Sequence, residues 1–146
     1  MISELLIVAL IVVLGTYWFR YNCKSILKSK VHSGRAEQVA SANQLTFHVA
    51  GERLRGEISA GELDGMNRGL LRDYKVLRCL LRYTVATSYT VEQRILMLDF
   101  RYMQLRYALT RRYFNRSARR ALGECVAILN HFANTLGERS AGVMRV

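Results

Sequence analysis

The 146-residue chain contains no proline, only three cysteines and half as many acidic as basic residues. The absence of proline excludes polyproline II segments and Pro-rich linkers. Three cysteines cannot all pair within one chain, so a disulfide scaffold is not expected and a reducing compartment is favoured. The 22 basic and 11 acidic residues give a formal net charge of +11, and 51% of residues are hydrophobic. This composition indicates a basic, folded chain of about one domain.

Catalytic and cofactor motifs are also missing. The sequence has no P-loop and no Gly-rich dinucleotide-binding loop. His32, His48 and His131 are dispersed and lack the spacing of metal ligands. Cys125 lies on an apolar stripe, which predicts a buried structural thiol, and Cys79 has basic neighbours but no base. We therefore expect no enzyme activity, no cofactor and no metal.

Three other polar residues are given structural interpretations. Asp73 and Asp99 stand alone among arginines, which predicts ion pairs within or between helices rather than acid–base chemistry. Cys23 follows the N-terminal apolar run, where a eukaryotic protein could carry a palmitoyl group. An unmodified thiol at the membrane interface is the preferred interpretation.

The run from Leu5 to Phe19 contains no charged residue. With its apolar flanks it reaches about 20 residues, the length a helix needs to cross the hydrocarbon layer. A cleaved signal peptide is disfavoured, because no basic residue precedes the run and it ends in Tyr17-Trp18-Phe19-Arg20 rather than in small residues. The run predicts a retained transmembrane helix.

Basic residues follow this run without an intervening acid, up to Arg35. The positive-inside rule then places the N-terminus outside and the C-terminal domain in the cytoplasm. The residues predicted at the membrane interface are Trp18, Arg20, Lys24, Lys28 and Lys30. The 18 arginines against 4 lysines suggest a GC-rich bacterial genome, hence a bacterial inner membrane.

The segment ELLIVAL, which begins at Glu4, resembles the start of type IV pilins. The mature N-terminal helix of these proteins carries an early Glu before a long apolar run. The resemblance implies a pilin-like subunit, kept as a remote third hypothesis. The basic segment after the run fits a cytoplasmic domain better than a secreted one.

The chain is predicted to divide into three parts. Residues 1–31 form a membrane helix with its basic extension, residues 32–58 form a connecting segment, and residues 59–146 form a helical bundle. In the connecting segment Ala36 and Phe47 fit a helical stripe, whereas Leu45, Phe47 and Val49 alternate as in a hairpin strand. We favour a helix to about Ala50 and leave the hairpin open.

Capping boxes mark two helix starts, Ser59 with Glu62 and Thr90 with Gln93. The first helix is predicted over about Ala60 to Ala86 and is followed by a turn. Its buried stripe is Leu70, Tyr74, Leu77 and Leu81. The glycines at positions 61, 65 and 69 indicate either close approach of another backbone or a weak helix start, and both interpretations stay open.

The helix after Thr90 has two apolar stripes, which predicts the central helix of the bundle. Its core stripe is predicted to be Ile95, Leu98, Tyr102 and Leu105, with Leu96, Phe100, Met103 and Tyr107 beside it. Ser117 is predicted to cap a last helix that ends at Gly137. The stripe of this last helix is Ala118, Leu122, Cys125, Leu129, Phe132 and Leu136. Short loops then predict an all-α fold with a three- or four-helix cytoplasmic bundle.

Six arginines without an intervening acid surround the last turn: Arg106, Arg111, Arg112, Arg116, Arg119 and Arg120. Such a basic face docks on anionic lipid headgroups, on an acidic partner or on nucleic acid. Since the anchor holds it near an anionic leaflet, lipid or protein is favoured. The sequence predicts a membrane-anchored accessory or scaffolding subunit that binds other membrane-protein subunits, with homo-oligomers open. The alternative is a membrane-tethered binder of nucleic acid or another polyanion.

Overall fold

The computed structural model describes residues 1–29, 34–84 and 89–143, and these residues form six helices and no strand. The predicted all-α architecture is confirmed. Lys30 and His32, and most of the turn predicted after Thr84, lie outside the described residues. The helices are α1 (Ile2–Ser29), α2 (Arg35–Ala42), α3 (Phe47–Arg53), α4 (Ala60–Thr84), α5 (Val91–Thr110) and α6 (Asn115–Val143).

Helix α6 is the centre of the bundle and packs against all five other helices. Its predicted apolar stripe, from Ala118 to Leu136, is buried throughout. The prediction that α5 would be central was wrong, because only one of the two apolar stripes of α5 faces the core. Gly137 does not end α6 either. A Cβ atom there would lie 2.8 Å from the Cβ of Arg35, so this glycine allows α2 to pack closely.

The predicted core stripe of α5 is wrong at Leu98, Tyr102 and Leu105, which are exposed, whereas Ile95 packs partly buried against the core. Leu98 and Leu105 are 57% and 59% exposed, and they lie on the outer side of the helix. The buried residues belong to the neighbouring stripe: Leu96, Phe100, Met103 and Tyr107. Both stripes have the same helical period, so periodicity alone did not distinguish the core face from the outer face. Stacking of Phe100 on Tyr74 of α4, at 4.1 Å between ring centroids, fixes the inward face.

The predicted helix starts are confirmed at α4 and α5. The Ser59 amide donates to the Glu62 carboxylate at 3.0 Å, and Thr90 with Gln93 forms the full reciprocal capping box. Helix α6 begins earlier than predicted. The Ala118 amide donates to the Phe114 carbonyl, and the Ser117 hydroxyl accepts from Arg106 instead of capping the helix.

The connecting segment forms two short helices, not a hairpin. Side chains from longer helices complete their first turns. At α3, the Asp73 carboxylate of α4 accepts hydrogen bonds from the backbone amides of Thr46 and Phe47 at 2.6 and 2.8 Å. At α2, the side-chain oxygen Oδ1 of Asn134 of α6 accepts a hydrogen bond from the backbone amide of Ala36 at 2.7 Å. Asp73 also forms the predicted ion pair, with the guanidinium of Arg72 at 3.5 Å from its carboxylate. Its main role, however, is to cap the N-terminus of α3.

The glycines of α4 divide between the two interpretations. A Cβ atom at Gly69 would lie 3.0 Å from the Thr46 hydroxyl oxygen, so this glycine permits the close approach of the chain before α3. Gly61 and Gly65 face open space. The close-approach hypothesis holds at one of three positions.

Helix α1 is long and apolar enough to cross a membrane: the candidate span is Ile2–Lys28, and an 18-residue window within it has a mean hydropathy of 2.1. Its first half is exposed along its whole length. Its second half packs on the bundle, where Cys23 is fully buried and Phe19, Ile26 and Leu27 are partly buried. This burial leaves the Cys23 thiol no access to an acylating enzyme.

Candidate functional site

Arg20 joins the apolar helix to the bundle. Its Nη1 donates to Asp99 of α5 at 2.6 Å, and its Nη2 donates to Glu124 of α6. The Arg20 side chain is only 14% exposed, and the Asp99 side chain is fully buried. The sequence predicts Arg20 at the membrane interface, but its side chain is turned toward the bundle, whereas Lys24 and Lys28 are exposed. The ion pair expected of Asp99 is therefore confirmed between helices.

The environment of this ionic cluster is dominated by burial. Desolvation raises the pKa of Asp99, and the guanidinium of Arg20 partly offsets the shift by hydrogen bonding and charge. The cluster holds two carboxylates against one cation. Cys125 is buried near it, and burial raises the pKa of its thiol to about 12, as expected for a structural cysteine. These groups hold helices together and offer no activated nucleophile.

Helix α5 lies against α1, and the direction of α5 relative to α1 shows which end of the bundle is near the apolar half of α1. Asp99 meets Arg20, while Leu98 and Tyr102 line a depression with Gly15, Thr16 and Phe19 of α1. Arg20 meets Glu124 and the later Arg35 meets Gly137, so α1 runs in the same direction as α6. Gln104 meets Cys125 and Arg106 meets Ser117, so α5 runs antiparallel to α6 and advances toward the N-terminus of α1. The α5–α6 turn, residues 111–114, is the end of the bundle on the side of the apolar half of α1. We call this turn the hairpin tip; it exposes Tyr113 and Phe114.

The six predicted arginines do not form one free surface. Arg119 donates to the carbonyls of Leu54 and Gly56 at 2.6 and 2.5 Å and so fixes the chain after α3. Arg106 donates to the Ser117 hydroxyl at 3.2 Å and ties α5 to α6. These two arginines have structural contacts. Arg112, Arg116 and Arg120 are exposed.

Arg111 has an acidic neighbour that is distant in sequence. Its guanidinium lies 3.0 Å from the Asp64 carboxylate of α4, and the Tyr107 hydroxyl donates to the same oxygen at 2.5 Å. Burial and this carboxylate raise the pKa of Tyr107 to about 12, while the Tyr107 hydroxyl and Arg111 lower the pKa of Asp64. The pairing fastens the hairpin tip to α4 and removes Arg111 from the free cations.

A basic groove of about 820 Å³ runs between α3 and α6. Arg116, Arg119 and Arg120 line it on the α6 side, and Arg55 and His48 line it from α3 and the residues that follow. Glu52 is the acidic residue on its wall, and Gly51, Gly123 and Asn130 complete its floor. We call it the α3–α6 groove. The groove is lined by four arginines and one carboxylate, so its net charge is positive and favours an anionic occupant.

Sequence reasoning missed two residues of this groove, Arg55 and His48, and the acidic partner of Arg111, Asp64. Arg55 and His48 are more than sixty residues from Arg116, and Asp64 is 47 residues from Arg111. Only the packing of α3 and α4 on α6 brings them together, so no local spacing could have revealed them. Among the described residues, no group of three or more His, Cys, Asp or Glu side chains could hold a metal ion.

The predicted interface residues Trp18, Lys24 and Lys28 are exposed on α1, and Lys30 lies outside the described residues. Comparisons with protein-family models, curated proteins and solved structures found no match to this chain.

Proposed function

We propose that this protein is a single-pass membrane subunit whose helical domain serves as an accessory or scaffolding element of a larger membrane assembly. The observation that carries the proposal is the bridge from Arg20 to Asp99 and Glu124. It connects the membrane-crossing helix to α5 and α6 through a buried charge, so anchor and domain form one body. A rigid connection of this kind holds a binding surface at a fixed height above the bilayer.

The α3–α6 groove is the proposed docking site for an acidic segment of a partner subunit. Three exposed arginines, Arg55, Arg116 and Arg120, line it, and none of them forms an ion pair with another residue that the structure describes. Peptide carboxylates form charge-assisted hydrogen bonds with guanidinium groups. The ion pairs of Arg20 with Asp99 and Glu124 use none of these three arginines, so their charges are available to a partner.

Neutralising the groove should release the partner. We expect the variant R55Q/R116Q/R120Q to recover about tenfold less of a co-purified membrane subunit, since about 0.5 kcal/mol at each of three sites adds up to the roughly 1.4 kcal/mol of a tenfold change. The measurement is quantitative mass spectrometry after purification of the full-length tagged chain in mild detergent. Arg119 stays unchanged because its backbone hydrogen bonds support the fold.

The matched control is K75Q/R78Q/R82Q, which removes the same charge from exposed positions of α4. Equal losses in both variants would indicate a general charge effect and contradict the groove assignment. Submicromolar binding of a single-stranded oligonucleotide at physiological salt, with unchanged partner recovery in the groove variant, would instead support the nucleic-acid alternative.

The proposed topology is N-terminus outside and bundle in the cytoplasm of a bacterial inner membrane, following the basic residues after Trp18. A reporter fused after residue 146 should be active as a cytoplasmic β-galactosidase and inactive as a periplasmic alkaline phosphatase. The reverse pattern, or a mature chain that has lost its first twenty residues, would contradict it.

A further inference from the structure

The outer face of α5 carries an apolar stripe that the bundle does not cover. It consists of Leu98, Tyr102, Leu105 and Leu109, spaced four, three and four residues apart on one side of the helix. All four side chains are exposed, and the stripe ends at the exposed aromatics of the hairpin tip. We call this surface the α5 outer stripe. A monomeric soluble domain rarely leaves such a continuous apolar surface in water.

The direction of α5 shows what surrounds this stripe. Leu98 and Tyr102 share a depression with Gly15, Thr16 and Phe19, in the apolar half of α1. From there α5 continues toward the N-terminus of α1, so Leu105 and Leu109 lie on the membrane side of the Arg20 contact. The apolar surface of α1 thus continues onto α5. If α1 crosses a bilayer, the C-terminal half of α5 therefore lies on the side of the bundle that is nearer to that bilayer.

The charges beside the stripe fit anionic lipid. Arg94 and Arg101 are exposed along one edge of it, at helical positions next to the leucines, and Arg112 is exposed in the hairpin tip. No acidic residue occurs from residue 100 to residue 123. A helix with an apolar face, a basic border and aromatic residues at one end has the composition of interfacial membrane helices.

We propose that the α5 outer stripe lies in the interface of an anionic lipid bilayer, with the leucines among the upper acyl chains and the bordering arginines among the headgroups. The inference rests on the proposed function, because it requires α1 to be inserted. In this arrangement the bundle contacts the membrane at two places, through α1 and through the α5 outer stripe, rather than through α1 alone.

The test places a single tryptophan on the stripe. Trp18 is the only tryptophan in the chain, so the full-length variant W18F/L105W reports on position 105 alone. In vesicles of phosphatidylcholine and phosphatidylglycerol with brominated acyl chains, we expect its emission to be quenched at least about twofold more than that of W18F/V91W, since interfacial side chains penetrate about 5–10 Å. Val91 is exposed on the same side of α5 but about 21 Å before Leu105, at 1.5 Å per residue.

The wild-type Trp18 signal separates the two proposals. Quenching of Trp18 with equally weak quenching at positions 105 and 91 would overturn the stripe inference and leave the anchor intact. Absence of quenching at Trp18, together with extraction of the protein by alkaline carbonate, would refute the anchor and with it the inference. Efficient L105C crosslinking between copies in the vesicles would assign the stripe to a second chain and would also overturn it.

Discussion

Replacing Arg20 with Met should lower the free energy of unfolding of the chain by about 3–5 kcal/mol, the cost of leaving a buried charge without its partner. The guanidinium is the cation between Asp99, whose side chain is fully buried, and Glu124, whose side chain is 26% exposed. Without it, the buried Asp99 carboxylate loses its counter-charge and is left beside a second carboxylate, Glu124. The measurement is denaturant unfolding of the full-length protein in detergent micelles.

Two variants serve as controls for the Arg20 experiment. Lys24→Met removes a cation one turn later on an exposed face, and we expect a change within about 0.5 kcal/mol. Arg20→Lys keeps the charge but loses the planar fork that reaches two acids, so its loss should lie between those of the other two variants. Similar stability of R20M and K24M would show that the bridge does not hold α1 to the bundle.

The pH dependence provides an independent check. Because burial raises the pKa of Asp99, the folded chain holds its proton to a higher pH than the unfolded chain. This group therefore favours folding most below its unfolded pKa of about 3.9, and that contribution declines as pH rises through the folded value. Removing Arg20 takes away the interaction that opposes the shift. The deficit of R20M should therefore be larger at neutral pH than at mildly acidic pH, and D99N should abolish most of this difference.

The sequence was informative wherever a local rule was sufficient. The capping boxes at Ser59 and Thr90 have their signals within four residues, and both occur as predicted. The buried stripes of α4 and α6 also follow directly from helical periodicity, because each of these helices has one dominant apolar face. The apolar helix α1 is recognisable by length and composition alone.

The sequence was insufficient where a residue's role depends on a distant partner. Arg20 looks like an interface cation, and only the packing of α1 on α5 and α6 reveals its acids 79 and 104 residues away. Arg119 looks like a docking residue until the chain after α3 brings two carbonyls to it. The α3–α6 groove has the same origin, since its walls come from segments that no spacing rule connects.

Helix α5 is the clearest case, and it leads to a paired experiment. Leu96→Ala should lower the free energy of unfolding by about 2–5 kcal/mol, because Leu96 is fully buried and its removal leaves a cavity. Leu98→Ala removes the same atoms two residues later, at a side chain 57% exposed, and should cost less than about 1 kcal/mol in detergent micelles. Both variants have the same change in helix propensity, so the difference between them reports burial alone. A larger loss at Leu98 than at Leu96 would restore the outer stripe as the core face, reverse the assigned rotation of α5 about its axis and remove the surface proposed to meet the membrane.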